Sequence, residues 1–295
     1  MAIGIGYGKT ILFGEHFVVY DCKAIGFGID KKIKVEIKKA PKFEIEFATN
    51  EKSLKAIEVL KKLVKWENFK IDVIKSEIPI ASGLGSGAAF NVAITRALSN
   101  EFGLGLTDKQ ICNMAFEMEK VFHGMPSGID NTLATYGGAI VFQKRKEGNL
   151  IKRLEIGSPL HLVLANSGIR SETKAMVDKV REFKEKNEDI FSDFLKIESR
   201  IVEQAISLIK NGNHHKLGEL MDTNHGLLNA IGVSHIENEK IVAIARENGA
   251  FGAKLVGAGG GGFCAALMKN RKSALNLITI LEKHYQCFYN LITAN

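Results

Sequence analysis

The stretch PIASGLGSGAAF over residues 79–90 constrains the fold more than any other part of the chain. It joins a strand-like run over 69–74 to a helix-like run over 88–102. Glycines let backbone come close to a partner, and the first turn of a helix leaves N–H groups with no partner inside the helix. The positive end of the helix dipole adds to the pull, so a glycine loop feeding a helix start is suited to an anion. The stretch reads as a phosphate cradle. Glycine and serine are also common in plain strand-to-helix turns, so the residues alone leave both readings open. Two other glycine motifs are excluded. A P-loop needs Lys and then Ser or Thr after its last glycine, where this chain has Ala88 and Ala89. The dinucleotide fingerprint needs an acidic residue about twenty positions on, and Asp108 near that distance follows Thr107 as part of a helix cap. Any lysine for phosphate chemistry must come from elsewhere.

A second glycine run, GAGGGG over 257–262, lies between strand-like runs at 251–256 and 263–268. A hairpin loop needs only one or two glycines, and each costs backbone entropy. So dense a run predicts backbone lying close against a ligand or against the first glycine loop.

Ile3 to Gly8 alternate Ile and Gly, and the apolar run after Lys9 ends at Phe13. This predicts two short strands around Gly8 and Lys9, resuming as strand over 17–20. Lys9, Glu15 and His16 interrupt apolar sequence. Lys and Glu are seldom buried unless paired, so these residues face a site or cap strand ends in water. Alternation at 33–37 and 43–47 around Pro41 predicts a half-buried antiparallel hairpin. Helical spacing covers 54–64, and Thr107 caps a helix running to about 122. Near the end of that helix, where the dipole disfavours acids, stand Glu117, read as exposed, and Glu119. The turn HGMPSGIDN over 123–131 then feeds a short helix stopped by Gly137, with Asp130 near its start as a cap or a working acid. The charged, weakly patterned stretch 143–158 ends in a domain boundary. Beyond it come a strand at 162–165, four helices, the strands flanking the second glycine run, and a last helix and strand.

The 295 residues and net charge of +7 fit one large or two intimate domains with a mild preference for anionic ligands. Basic residues are spread out and not interleaved with aromatics, which argues against a nucleic-acid face. No uninterrupted apolar run is long enough for a membrane span, and no secretory signal is visible. Cys22, Cys112, Cys264 and Cys287 are scattered, with no zinc spacing, so a reduced, cytosolic setting is expected. The histidines at 161, 214, 215, 225, 235 and 284 read as surface or capping residues.

Taken in order, a lysine near the N-terminus, a Gly-Leu-Gly-Ser loop before a helix and a late glycine run resemble the three motifs of the GHMP kinase superfamily (galacto-, homoserine, mevalonate and phosphomevalonate kinases). Within it, GKTILFGEHFVV over 8–19, HGMPSGIDN over 123–131 and SGIRSETK over 167–174 resemble the mevalonate kinase family. The resemblance spans almost the whole chain. It implies an α+β, two-domain GHMP kinase fold: an N-terminal α/β domain, 1–158, with a left-handed βαβ unit, and a C-terminal ferredoxin-like domain, 159–295. It also implies ATP- and Mg²⁺-dependent phosphorylation of the 5-hydroxyl of mevalonate in cytoplasmic isoprenoid synthesis. The partners implied are mevalonate and ATP, with no nucleic acid or membrane, and a homodimer is left open.

Carried over by motif, Asp130 would be the catalytic base and Lys9 its partner. Glu119 would hold magnesium. Pro79, Ser82, Gly83, Leu84, Gly85, Ser86, Gly87, Ala88 and Ala89 would take the ATP phosphates. Glu15, His16, Thr173, Gly259 and Gly260 would contact the acceptor. The chemistry suits these residue types. A carboxylate can take the proton of an attacking alcohol, and a lysine beside it favours the ionised form and offsets developing charge. Phosphoryl transfer otherwise needs positioning and cations. Two positions depart from the family pattern: Gly87 stands where a second serine usually helps hold magnesium, leaving Ser86 or water to do so, and Tyr7 stands where Pro usually precedes Gly-Lys. Another GHMP kinase, acting on phosphomevalonate or homoserine, and a non-catalytic nucleotide-binding homologue stay open as alternatives.

Overall fold

The computed structural model describes residues 1–47, 51–79, 83–123, 126–145, 147–170 and 172–293. The chain opens on strand β1 (Ala2–Phe13), a 3-10 turn (Phe17–Tyr20) and strand β2 (Lys23–Lys39). Strand β3 (Glu44–Ile45), helix α1 (Glu51–Val64) and strand β4 (Phe69–Ser76) follow. Helices α2 (Ser86–Phe102), α3 (Asp108–His123) and α4 (Ile129–Tyr136) lead to strands β5 (Ala139–Gln143) and β6 (Leu150–Arg153). Strand β7 (Leu160–Asn166) precedes α5 (Thr173–Lys186), α6 (Glu188–Lys210), α7 (His214–Ala230) and α8 (Ile236–Glu247). Strands β8 (Gly252–Leu255) and β9 (Phe263–Met268), helix α9 (Arg271–Leu281) and strand β10 (Gln286–Ile292) close the chain.

The first sheet has the order β3-β4-β2-β5-β6, with β1 also paired to β2. The second has the order β10-β7-β9-β8, antiparallel throughout. Numbered within the second sheet, that order is 4-1-3-2, the ferredoxin-like arrangement. Residue contacts group the chain into two compact units, 1–9 with 30–80 and 85–137, and 10–29 with 81–84 and 138–295.

In the first unit α2, α3 and α4 share a core of Ala88, Val92, Ile111, Ala115 and Ala134, with Leu106 against it. The Ile-Gly alternation of β1 has a steric cause. A Cβ on Gly6 would lie 1.9 Å from the Ala89 carbonyl oxygen, so α2 packs backbone to backbone on the strand. Arg96 of α2 ties the frame together. Its guanidinium donates to the carbonyls of Ile5 at 2.7 Å and Thr135 at 2.6 Å and to the Asp108 carboxylate at 2.8 Å. One side chain thus links β1, α4 and α3.

Four expectations change. Residues 3–13 lie in one strand, not two, with Lys9 inside it and its ammonium satisfied by a carboxylate. Residues 17–20 curl into a 3-10 turn that buries Phe17 and Val18. The 33–37 and 43–47 runs do not form a hairpin, since β4 inserts between them, antiparallel to β2 and parallel to β3. Alternation reports which face is buried, not which strand is the partner. The stretch at 143–158 contains β6, paired antiparallel to β5.

Candidate active site

In the first unit, Asp130 sits in the first turn of α4 after the left-handed Gly128. Its Oδ1 lies 2.9 Å from Lys9 Nζ. The lysine side chain is only 6% exposed and that of Asp130 27%, so a small molecule can reach the acid but not the amine. Gly85 explains how the amine is held. Its φ is +75°, and a Cβ there would fall 2.8 Å from Lys9 Cγ and 3.0 Å from Cε. The lysine stem therefore lies in the space a side chain at 85 would fill. Gly85 is also the N-cap of α2, and the first return bond of that helix runs from Ala89 N–H to the Gly85 carbonyl. The amides of Ser86, Gly87 and Ala88 come before that bond, as an anion site requires.

Glu119 of α3 is 3% exposed. Its Oε2 is buried with no hydrogen-bond partner among the described residues. Burial, and next the charge of Asp130, push its carboxyl up to about 8, against the pull of Lys9. A buried carboxylate oxygen without a donor suits a hard divalent cation, which takes oxygen ligands and would reverse that shift. Glu117, expected to be exposed, is half-buried as a residue, with a side chain 43% exposed and paired with Lys120 at 2.7 Å.

In the second unit, Gly14, Glu15 and His16 form a tight turn with φ values of +88° at Gly14 and +59° at His16. Glu15 is buried and ion-paired with Lys254 of β8, which is itself fully buried. Glu198 of α6, also fully buried, accepts the Gly14 N–H at 2.8 Å and the Asn224 amide at 2.6 Å. Burial first, then Glu15, raise its carboxyl to about 7. His16 Nε2–H donates to the Ala258 carbonyl at 2.8 Å, which leaves Nδ1 as an acceptor. Burial chiefly, with help from Lys254, lowers this imidazole to about 4, so it is neutral at pH 7. The second glycine run does lie against the first: a Cβ on Gly257 would meet the Gly83 carbonyl oxygen at 3.3 Å. The bare faces of Gly259 and Gly260 meet protein as well, at Val233 and Met176. Thr173 is exposed at the start of α5.

The structure therefore brings Lys9, Asp130 and Glu119 together in one unit, with Gly85 against Lys9. It places Glu15, His16 and the second glycine run in the other. Leu84 is buried, Ser86 and Gly87 are half-buried, and Ser82 lies outside the described residues. Sequence reasoning missed Lys254 and Glu198. Each carried a signal: a lysine inside an apolar strand, and an acid on the apolar face of α6 beside Ile201 and Val202. His225 is buried rather than superficial, and its Nδ1 accepts the Leu255 N–H at 3.2 Å. His235 does cap α8.

Family models for the GHMP kinases N terminal domain and the GHMP kinases C terminal domain match residues 51–138 and 205–287. The mevalonate kinase of Pyrococcus furiosus is 37% identical over 90% of this chain and 88% of its own length. That of Archaeoglobus fulgidus is 35% identical over 94% of this chain and 95% of its own. Among solved structures, the L. major mevalonate kinase in complex with R-mevalonate superposes with a TM-score of 0.90 at 32% identity, covering 100% of this chain and 97% of that one. The Methanococcus jannaschii mevalonate kinase does so with a TM-score of 0.84 at 28% identity, covering 99% and 98%. The chain belongs to the GHMP kinases and, among them, to the mevalonate kinases.

Proposed function

We propose that this chain transfers the terminal phosphoryl group of ATP to the 5-hydroxyl of mevalonate. The observation that carries this reading is the 2.9 Å pairing of a buried Lys9 with a reachable Asp130 beside Gly85, in a chain of this family. Asp130 accepts the proton of the acceptor hydroxyl as its oxygen attacks phosphorus. Lys9, locked against Gly85, supplies a fixed positive charge where negative charge develops. Residues 83–89 offer backbone amides at the start of α2 to the phosphates. Magnesium, when bound, neutralises phosphate charge. Glu119 supplies a protein oxygen for it, and Ser86 is the second candidate. Glu15, His16, Thr173, Gly259 and Gly260 contact the acceptor. The neutral imidazole of His16, with Nδ1 open as an acceptor, supports a hydrogen bond from an acceptor hydroxyl.

A division of the chain near residue 158 is supported by the second sheet, all of whose strands follow that position. The four cysteines are free thiols, which supports a reducing, cytoplasmic setting. Among the described residues no helix is long and apolar enough to cross a membrane.

The test is ADP release by the purified protein with Mg²⁺-ATP and, separately, mevalonate, phosphomevalonate, homoserine and galactose. Turnover is expected with mevalonate only. Asp130→Asn should lower kcat by about 10²- to 10⁴-fold. Faster turnover of another acceptor would overturn the substrate, and an unimpaired Asp130→Asn would remove Asp130 from the chemistry.

A further inference from the structure

Three charged side chains of the second unit are withdrawn from water together: Glu15 at 2% exposure, and Glu198 and Lys254 at 0%. Lys254 and Glu15 form an ion pair, and the Glu198 carboxyl lies within electrostatic reach of both. Desolvating charges is costly, and apolar side chains of similar volume often hold a core as well or better. A buried polar group of this kind earns its place by imposing one geometry, and here Glu198, Lys254 and the Ala258 carbonyl each hold one residue of the same turn. Glu198 accepts the Gly14 N–H through Oε1 at 2.8 Å. Its other oxygen takes the Asn224 amide at 2.6 Å, so the carboxylate cannot swing. Lys254 holds the Glu15 carboxylate and donates to its neighbour's carbonyl, that of Leu255, at 2.8 Å. Ala258 takes the His16 ring N–H at 2.8 Å. The backbone of His16, at φ +59° and ψ −42°, lies in a region a residue with a side chain rarely adopts. Such a conformation persists only where the surroundings over-determine it. Phe17 closes the turn from below, stacked on Phe191 of α6 at 5.7 Å between ring centroids.

We propose that Glu198 and Lys254 are positioning residues for the phosphoryl acceptor, fixing the turn of Gly14, Glu15 and His16 in the single orientation in which it receives that acceptor. This rests on the reading that Glu15 and His16 contact the acceptor. The two residues touch no reacting atom. Glu198 acts through the Gly14 amide, and Lys254 through the Glu15 carboxylate. A merely structural role would lower stability and affect both substrates alike. A positioning role raises KM for the acceptor alone.

The test compares wild type, Glu198→Ala, Glu198→Gln, Lys254→Met and His16→Ala, with KM for mevalonate, KM for ATP, kcat and Tm measured on each. Glu198→Ala and Lys254→Met should raise KM for mevalonate about tenfold or more, while KM for ATP stays within about twofold. Glu198→Gln should restore KM to within about threefold of wild type. Its oxygen still takes the Gly14 N–H, and its new amide, which replaces the oxygen facing Asn224 Nδ2, donates to Asn224 Oδ1 once the Asn224 amide flips; that Oδ1 is buried without a partner among the described residues. If Glu198→Ala cannot be recovered folded, Asn224→Ala, which removes the second contact of the same carboxylate, is read in its place and should raise KM for mevalonate alone. Equal rises in both KM values, an unchanged KM for mevalonate, or a glutamine variant as impaired as the alanine one would overturn the proposal. The His16→Ala arm separates the two levels. An unchanged KM for mevalonate there removes the turn from acceptor binding, and the proposal falls with it. A raised KM there beside an unaffected Glu198→Ala overturns the positioning role alone.

Discussion

Gly85→Ala tests the link between the glycine loop and the catalytic lysine. The added Cβ would lie 2.8 Å from Lys9 Cγ and 3.0 Å from Cε. Non-bonded carbons rest at about 3.5–4.0 Å, so the lysine stem must retreat by about 0.7 Å or more. It has little room to do so, since Lys9 is only 5% exposed. The ammonium would be drawn from its 2.9 Å contact with Asp130. Displacing a positioned group by about 1 Å can cost about 10²-fold in rate. Separately, an alanine at φ +75° costs about 1–2 kcal/mol of stability, or roughly 2–8 °C in Tm for a chain of this size. The expected outcome is a kcat lowered about a hundredfold, with the fold retained and Tm reduced by that amount. Steady-state ADP release at saturating substrates, beside a thermal melt, measures both. A folded variant with kcat within about threefold of wild type would refute the reasoning, because it would show that Lys9 does not depend on the bare backbone at 85.

Three further outcomes are expected. Gly226→Ala is the control for exchanging glycine as such: the site is exposed within α7, with nothing within 4 Å of an added Cβ, so unfolding in urea should show about 0.5–1 kcal/mol more stability. For Glu198, the folded value of about 7 stands above the ordinary 4.5, because burial and Glu15 outweigh Lys254 and the bonds from Gly14 and Asn224. Its stability contribution is therefore fully present below the unfolded value and lost as pH rises through 7, by roughly 3 kcal/mol. Glu198→Gln should be flatter than wild type in denaturant midpoint between pH 4.5 and 8, and parallel profiles would contradict the assignment. Gly87→Ser has open space around its Cβ, so the hydroxyl usual in the family can be restored without a clash. Titrating Mg²⁺ against rate should show a lower half-saturating concentration, and an unchanged one would show that position 87 has no part in holding the metal.

The parts of the molecule legible in the sequence share a cause. The strand-to-helix change around the first glycine loop, the Thr107 cap, the helices of the C-terminal half and the strands flanking the second glycine run are local. Spacing, caps and left-handed backbone positions are properties of a few neighbouring residues. What pattern reading could not settle was strand partnership. The alternation at 33–37 and 43–47 has the same form for an antiparallel neighbour as for a strand one place further on, and β4 occupies that place. Lys9 and Glu119 stood out because each sat uneasily in its local context, Asp130 was equally at home as a helix cap, and the resemblance supplied the roles of all three.

Lys254 and Glu198 show why the remainder was hidden, and how it can be sought. Lys254 meets Glu15 across 239 positions, and Glu198 meets Gly14 across 184. A glycine declares its constraint in its own backbone, whereas a buried charge takes its meaning from a distant partner. Yet burial without a partner is so costly that a charge on an apolar pattern is itself a statement about pairing. Lys254 in an all-buried strand calls for an acid, Glu198 on an apolar helix face calls for donors, and Glu15 in an apolar run calls for a cation. Lys254 and Glu15 answer each other, and Glu198 is answered by the Gly14 and Asn224 amides, so the three misfits together locate the turn at 14–16.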